Sequence, residues 1–215
     1  MDIKYIGHSS FLIKTKDARV ITDPFDPKAT GLKFPKNEAE IVTVSHGHDD
    51  HSAASQIGAS PLVIDWPGEY EKNGVRVFGF KTFHDKKQGA ERGDNTIFKF
   101  EAEGIGILHC GDLGHILTDD IIEDLGEVHV LMVPVGGFYT INPEEAVQLV
   151  HKVEPSIVIP MHYNRPGLNQ DIYGKLSPVD AFITAMGVEK QPPVAKLTLK
   201  KEDLGEDMKV IVMES

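Results

Sequence analysis

Short runs of β-prone apolar residues dominate the first half of the chain, and turn-forming or charged residues bound each run. The run GVRVFGFKTF at 74–83 alternates in the way that a half-buried strand does. We therefore predict strands at 3–6, 10–14, 19–22, 41–45, 62–64, 74–83, 96–101, 105–109, 128–135 and 156–161. The runs 196–200 and 208–213 are predicted to form a final hairpin.

Helical signals are fewer and lie mostly in the second half. Asn142 stands before Pro143 and two glutamates, which is typical of a helix N-terminus. We predict helices at 118–124, 142–153 and 177–186, and a further helix over 50–57. Strands with interspersed helices predict an α/β or α+β fold with helix-covered sheets. No linker divides the sequence, so we expect one domain over residues 1–215.

Composition narrows the class of protein. The 22 Lys and Arg residues stand against 33 Asp and Glu residues, and the net charge of −11 disfavours binding to nucleic acid or anionic membranes. The single cysteine, Cys110, excludes an internal disulfide and a thiolate-rich zinc site, and it suits a reducing compartment. There is no apolar run of transmembrane length and no signal-peptide pattern at the N-terminus. We expect a cytoplasmic protein.

The densest chemical signal is the segment 45–51, SHGHDDH, which follows a predicted buried strand. In extended chain, residues two apart point the same way, so His46 and His48 can bind one metal together. If the chain then enters a helix, Asp50 and His51 face the same cavity from its first turn. Imidazole and carboxylate groups suit zinc, manganese or iron, and two adjacent pairs of ligands suggest two metals.

Three further candidates each follow a predicted strand: His84, Asp112 and His162. Alone, a histidine at the end of a strand is more often a surface or hydrogen-bonding residue. Their shared position after strands, in a chain with a metal-like cluster, favours all three as additional ligands.

The order His-x-His-x-Asp-His, then a lone His, then Gly-Asp, then a late His resembles the ligand order of the metallo-β-lactamase superfamily. Further fragments resemble the branch of that family named after the ascorbate-lactone hydrolase UlaG. They are YIGHSSF at 5–11, TDP at 22–24, PGEYE at 67–71, PVGG at 134–137, PEEA at 143–146 and PMHY at 160–163. The resemblance covers nearly the whole chain and implies a four-layer αββα sandwich with the metals at one edge of the sheets.

The resemblance also implies a ligand set and a reaction. His46, His48 and His84 would hold a first metal, whereas Asp50, His51 and His162 would hold a second and Asp112 would bridge both. The metals, Zn²⁺ or alternatively Mn²⁺ or Fe²⁺, would activate a hydroxide that attacks a small ester, lactone, lactam or phosphodiester. Asp50 would also orient the hydroxide, and Asp112 would hold the metals close together.

Four residues are candidates for contacts with these ligands or with the substrate: His8, Asp23, His109 and Tyr163. Asp23 could bond a metal-binding histidine, or it could belong to a simple Asp-Pro turn. His109 could donate to a carboxylate that orients a ligand. His8 could reach the site or bond the backbone, and Tyr163 could shape the mouth of the pocket.

Three interpretations of function remain open from the sequence. The first is a metallohydrolase that acts on a small molecule. The second is a nuclease of the same fold, for which the charge of −11 is unfavourable. The third is a metal-binding partner protein without catalysis, although all seven predicted ligands are present. The sequence leaves the substrate, the native metal and a homo-oligomeric state open.

Overall fold

The structure, a computed structural model, describes residues 1–205 and 207–215. Its strands are β1 (Asp2–Gly7), β2 (Ser10–Lys14), β3 (Arg19–Thr22), β4 (Ile41–Thr43), β5 (Leu62–Ile64), β6 (Gly68–Lys72), β7 (Val75–Phe83), β8 (Asp94–Ala102), β9 (Ile105–His109), β10 (Val130–Pro134), β11 (Ile157–Met161), β12 (Leu197–Thr198) and β13 (Lys209–Val210). Its helices are α1 (Pro27–Thr30), α2 (Asp119–Leu125), α3 (Pro143–Val153), α4 (Gln170–Tyr173) and α5 (Val179–Met186). Short 3₁₀ turns occur at Ala54–Gln56 and Lys201–Asp203.

The strands form two mixed sheets. The first sheet has the order β12-β1-β2-β3-β4-β5, and the second has the order β13-β11-β10-β9-β8-β7-β6. Antiparallel pairing of β1 with β2 and of β2 with β3 makes β1 and β3 parallel, and β4 runs parallel to β3. In the second sheet β7, β9, β10 and β11 likewise share one direction.

One apolar core joins the two sheets. Alternating side chains of β1, such as Ile3 and Tyr5, are buried, and they belong to the same cluster as Phe98 and Phe100 of β8. The parallel strands β10 and β11 are buried along their whole length, as strands covered on both faces are. Helices α3 and α5 pack on the second sheet, against β10 and β11 respectively. The mixed α/β class with two sheets, predicted from the sequence, is confirmed.

Helix α3 begins where the sequence predicts. The side chain of Asn142 accepts a hydrogen bond from the Glu145 N–H at 2.9 Å, and the Glu145 carboxylate accepts one from the Asn142 N–H at 3.0 Å. This reciprocal pair satisfies two N–H groups that a helix start leaves without partners. No helix in the described part of the chain combines the length and the apolar character that crossing a bilayer requires.

Two predicted elements are wrong. The segment 50–57 forms a turn and a 3₁₀ turn instead of a helix, because the chain folds back through the His51 N–H to His48 C=O bond of 2.9 Å and the Ala53 N–H to Pro24 C=O bond of 2.7 Å. The last two strands form no hairpin, since β12 pairs with β1 and β13 pairs with β11, in different sheets. Strand β6 and the short helices α1 and α4 were not predicted.

Candidate metal centre

Six loops meet at one edge of the two sheets. Because β1, β3 and β4 share one direction in their sheet and β7, β9 and β11 share one in theirs, loops that follow these strands can converge. They carry the predicted site residues His8, Asp23, His46, His48, Asp50, His51, His84, Asp112 and His162. The order of the strands thus brings together residues that lie up to 154 positions apart in the sequence.

The first cluster consists of His46, His48 and His84, with ligand-type atoms within 4.8 Å of one another. The His46 Nε2 and His48 Nδ1 atoms are 3.0 Å apart. His46 Nδ1 lies 3.0 Å from the Ser45 hydroxyl, so the opposite ring nitrogen faces the cluster. His84 is buried, whereas His48 is exposed.

The second cluster consists of Asp50, His51 and His162, joined by His8, again within 4.8 Å of one another. Both His51 and His162 are fully buried. The structure therefore groups six of the seven residues that the resemblance implies as ligands into two adjoining sets. Their roles as ligands stay predictions.

Asp112 lies between the two clusters. Its Oδ2 atom is 3.2 Å from His84 Nε2 of the first cluster and 3.2 Å from His162 Nε2 of the second. Its Oδ1 atom is 3.3 Å from His51 Nε2. The carboxylate thus faces both histidine sets at once, which is the position that a bridging ligand needs.

Asp23 fixes the orientation of His51. The buried Asp23 carboxylate accepts the Nδ1–H of His51 at 2.8 Å, and it also accepts the N–H and O–H of Ser45 at 2.8 and 2.6 Å. With its proton on Nδ1, His51 presents the lone pair of Nε2 to the cluster. Burial opposes the charge on Asp23, but the hydrogen bonds from His51 and Ser45 and the charges of His109 and His51 together outweigh it and lower the carboxyl pKa.

Several buried polar atoms of the two clusters and Asp112 lack hydrogen-bond partners, and a metal ion would coordinate them instead. In residues 1–205 and 207–215, His51 Nε2, His162 Nε2 and Asp112 Oδ1 are buried and form no hydrogen bond. Such atoms cost free energy unless something compensates them. His51 and His162 belong to the second cluster and Asp112 lies between the two clusters, and a divalent cation is the partner that imidazole and carboxylate groups would share there.

The protonation states also fit a metal centre. Burial lowers the pKa of His8 to about 4 and the pKa of His46 to about 3, so both imidazoles are neutral at pH 7. Burial raises the carboxyl pKa of Asp112, but His162 and His51 outweigh it and hold this pKa well below its usual range. Burial disfavours a charged His51, yet Asp112 and Asp50 raise its pKa well above the ordinary value. The raised pKa means that His51 holds an extra proton between these carboxylates. A metal cation would take the place of that proton.

A cavity of about 260 Å³ opens onto the two clusters. Its floor includes His84, Asp112 and His162, and Tyr139, Ile172 and Tyr173 contribute one wall. Arg92 lines the rim, where its guanidinium lies 5.7 Å from the centre of the Tyr139 ring. The cavity is therefore partly aromatic and carries one cation at its mouth.

The four predicted surrounding residues fall into two groups. His8 and Asp23 contact predicted ligands directly, through Asp50 and His51. His109 does not donate to a carboxylate, because its Nε2 bonds the Ser9 carbonyl at 2.7 Å. Tyr163 lies in the main apolar core, and the tyrosines that line the cavity are Tyr139 and Tyr173.

Sequence reasoning missed Tyr173 and Arg92 as residues of the cavity. Tyr173 lies in the segment 164–175, NRPGLNQDIYGK, which contains Gly, Pro and Asn but no metal-ligand motif, and only the fold brings it beside Asp50. Arg92 lies in the polar stretch DKKQGAERGD that directly follows His84. A polar loop next to a predicted ligand was the one available signal.

Comparison with known proteins identifies the family. The family described as "Beta-lactamase superfamily domain" matches residues 2–162, and the chain belongs to this superfamily. A crystal structure from Thermotoga maritima, assigned to the Zn-dependent hydrolases of the metallo-β-lactamase superfamily, is 38% identical, covers 99% of this chain and 97% of its own, and superposes with a TM-score of 0.81.

Relatives from other organisms agree with this assignment. A UPF0173 metal-dependent hydrolase from Thermococcus onnurineus is 28% identical over 75% of this chain and 84% of its own length. One from Lysinibacillus sphaericus is 29% identical over 80% of this chain and 89% of its own length. The UlaG-like branch stays a prediction, since none of these three proteins is named for it.

Proposed function

We propose that this metal-dependent hydrolase of the metallo-β-lactamase superfamily binds two divalent ions and cleaves a small ester, lactone, lactam or phosphodiester. The observation that carries the proposal is the position of Asp112, with one oxygen 3.3 Å from His51 Nε2 and the other 3.2 Å from His84 Nε2. His46, His48 and His84 would hold one ion, and Asp50, His51 and His162 the other. Zn²⁺ suits this nitrogen and oxygen donor set, with Mn²⁺ or Fe²⁺ as alternatives.

The chemistry of the bound ions is to supply a hydroxide nucleophile from water near neutral pH and to polarise the attacked bond. The residues of the chain supply the geometry for it. Asp112 keeps the two sets of ligands adjacent, and Asp23 keeps the His51 lone pair aimed inward. Cys110 does not serve as the nucleophile, because this cysteine is fully buried and burial raises the pKa of its thiol.

The cavity supports a small substrate. Its volume of about 260 Å³ lies below the range of roughly 300–1,000 Å³ that is usual for pockets of drug-sized ligands. Tyr139, Ile172 and Tyr173 offer an apolar wall, and the wall adjoins the predicted second metal site. An extended nucleic-acid strand would need a basic track, and the net charge of −11 gives that alternative little support.

Arg92 supports a substrate with an anionic group. Its backbone N–H bonds Asp85 at 2.8 Å, which holds the residue at the cavity rim. The neighbouring Glu91 is ion-paired with Lys87, and Arg92 pairs with no carboxylate in residues 1–205 and 207–215. A guanidinium without an acid partner presents a planar set of donors that matches a carboxylate or phosphate group.

The test combines metal content with activity. The purified chain is stripped with a chelator, reloaded with Zn²⁺, Mn²⁺ or Fe²⁺, and assayed against esters, lactones, lactams and phosphodiesters. We expect about two ions per chain and hydrolysis that requires them. Asp112→Asn should lower both, whereas His151→Ala, which alters an exposed histidine on α3, should change neither. A reloaded protein with fewer than two ions, or with two ions and no hydrolysis in the whole panel, contradicts the proposal.

A further inference from the structure

Asp50 differs from the other predicted ligands because two side chains donate to the same one of its oxygens. The His8 Nε2–H and the Tyr173 hydroxyl each lie 2.9 Å from Asp50 Oδ2. A carboxylate oxygen has two lone-pair sites, so these two donors use both of them. The same oxygen lies 3.4 Å from His51 Nε2, which places the carboxylate beside the second cluster. The Oδ1 atom accepts no hydrogen bond from any residue that the structure describes.

We propose that His8 and Tyr173 are positioning residues that jointly bind Asp50 Oδ2 and thereby hold the Asp50 carboxylate beside His51 for the second metal. The inference rests on the two-metal function proposed above. It assigns a role to Tyr173, which lies 123 positions from Asp50 in the sequence. Neither residue is itself a ligand in this assignment, because both act through the carboxylate.

His8 is held rigidly for this task. Its main-chain carbonyl accepts the His162 N–H at 2.9 Å and the Tyr5 hydroxyl at 2.7 Å. Its φ angle of 55° places it in the left-handed region, an arrangement that a tight turn between β1 and β2 requires. The ring packs 4.2 Å from the ring of His162, between centroids. With an ionised carboxylate as acceptor, Nε2 must carry the proton and so cannot itself bind a metal.

Tyr173 reaches Asp50 from a distant part of the chain. It ends the short helix α4, which Asn169 caps and which the Asn169 N–H anchors to the Thr30 carbonyl at 2.8 Å. The ring is buried among Leu168, Leu176 and partly buried neighbours. Because the same ring lines the cavity, the geometry of Asp50 depends on the wall that the substrate contacts.

The tyrosines of this wall provide a matched pair of variants. Tyr173→Phe removes the hydroxyl that bonds Asp50. Tyr139→Phe removes a hydroxyl on the same wall that bonds the Ile172 carbonyl at 3.0 Å instead. The two changes are chemically identical and alter the same cavity, so a difference between them reports the bond to Asp50.

The experiment titrates the metal-free full chain with Co²⁺ and follows binding and visible absorption, without a substrate. We expect Tyr173→Phe to weaken binding of the second equivalent about 10- to 100-fold and to change its absorption bands, with Tyr139→Phe like the wild type. His8→Asn, which tolerates the left-handed backbone and is too short to reach Asp50, should show the same loss. Thermal unfolding of each metal-free variant checks that the fold is retained.

The outcomes separate this inference from the proposed function. If the wild type binds two Co²⁺ ions, and Tyr173→Phe and His8→Asn bind the second with wild-type affinity and spectrum, the positioning role is wrong and the two-metal function stands. If the wild type takes up fewer than two ions, the proposed function itself fails. If Tyr139→Phe weakens binding of the second Co²⁺ ion as much as Tyr173→Phe does, the loss comes from changing the cavity wall and the bond to Asp50 has no special role.

Discussion

The Asp23 carboxylate and the His51 imidazole form a buried pair in which Oδ2 and Nδ1 are 2.8 Å apart. Neither side chain is exposed to solvent, and the pair connects the turn after β3 to the histidine cluster after β4. The bond holds the His51 ring so that Nε2, which is 3.3 Å from Asp112 Oδ1, faces the second cluster. An aspartate outside the predicted ligand set therefore controls a predicted ligand.

Replacing Asp23 with asparagine should weaken the second metal site. The new amide would offer one acceptor oxygen where the carboxylate has two, and its NH₂ group could donate to His51 and favour the wrong tautomer. We expect a loss of about 10- to 100-fold in affinity for the second ion, measured by competition with a chromophoric chelator. Asp17→Asn, on the exposed turn between β2 and β3, is the control. Unchanged affinity in the Asp23 variant would show that His51 needs no such partner.

Replacing Arg92 with glutamine should separate substrate binding from chemistry. A hydrogen-bonded charged contact is worth about 1.5–3 kcal/mol, so KM for an anionic substrate should rise roughly 10- to 100-fold with kcat nearly constant. A neutral analogue of the same substrate should respond little. Arg76→Gln, which removes an arginine paired with Glu101 far from the cavity, should leave both constants as they are. Equal losses for charged and neutral substrates would exclude Arg92 as the anion-binding group.

Asp85 should make the loop that carries Arg92 sensitive to acid. Its carboxylate accepts the N–H groups of Lys87, Gly89, Glu91 and Arg92 at 2.7–3.0 Å. Burial opposes the charge, but these four bonds lower the pKa of Asp85 to about 2. Because the pKa in the folded chain lies below the unfolded value of about 3.9, this contribution is complete above about pH 4 and disappears as the pH falls through about 2.

The corresponding measurement is the unfolding midpoint of wild type and Asp85→Asn between pH 2 and pH 7. We expect the variant to be less stable at pH 7, since its amide oxygen cannot replace both carboxylate oxygens. The difference should shrink as the pH approaches 2, where about half of the wild-type carboxyl groups are protonated. A difference that stays constant over this range would mean that the charge of Asp85 does not stabilise the loop.

Local patterns predicted the elements of this fold well. Alternation and turn residues located β2, β3, β5 and β9 with their observed bounds, and the cap at Asn142 located α3. The strand β6, whose two glutamates are exposed at a sheet edge, lacks the apolar signal of a buried strand. The final strands paired with distant partners, because sheet pairing depends on tertiary neighbours that no local pattern contains.

Some residues of the candidate site could be predicted from the sequence and others could not. A dense motif of histidines and aspartates, such as the one at 46–51, indicates a metal site by its composition alone. Tyr173 gave no such signal, because a tyrosine in a polar segment gains its role from one hydrogen bond across 123 positions. His109 could have donated to a carboxylate, but its Nε2 bonds the Ser9 carbonyl at 2.7 Å. Contacts with the main chain depend on backbone positions, which side-chain patterns do not specify.

If Asp112 bridges two metal ions held by the two histidine clusters, a crystal structure of the Zn²⁺-loaded protein will show both ions. Anomalous data collected on both sides of the zinc edge would locate them. We expect two anomalous peaks about 3.5–4 Å apart, each within reach of the Asp112 carboxylate. A single peak, or a second peak that Asp50, His51 and His162 do not contact, would contradict this expectation.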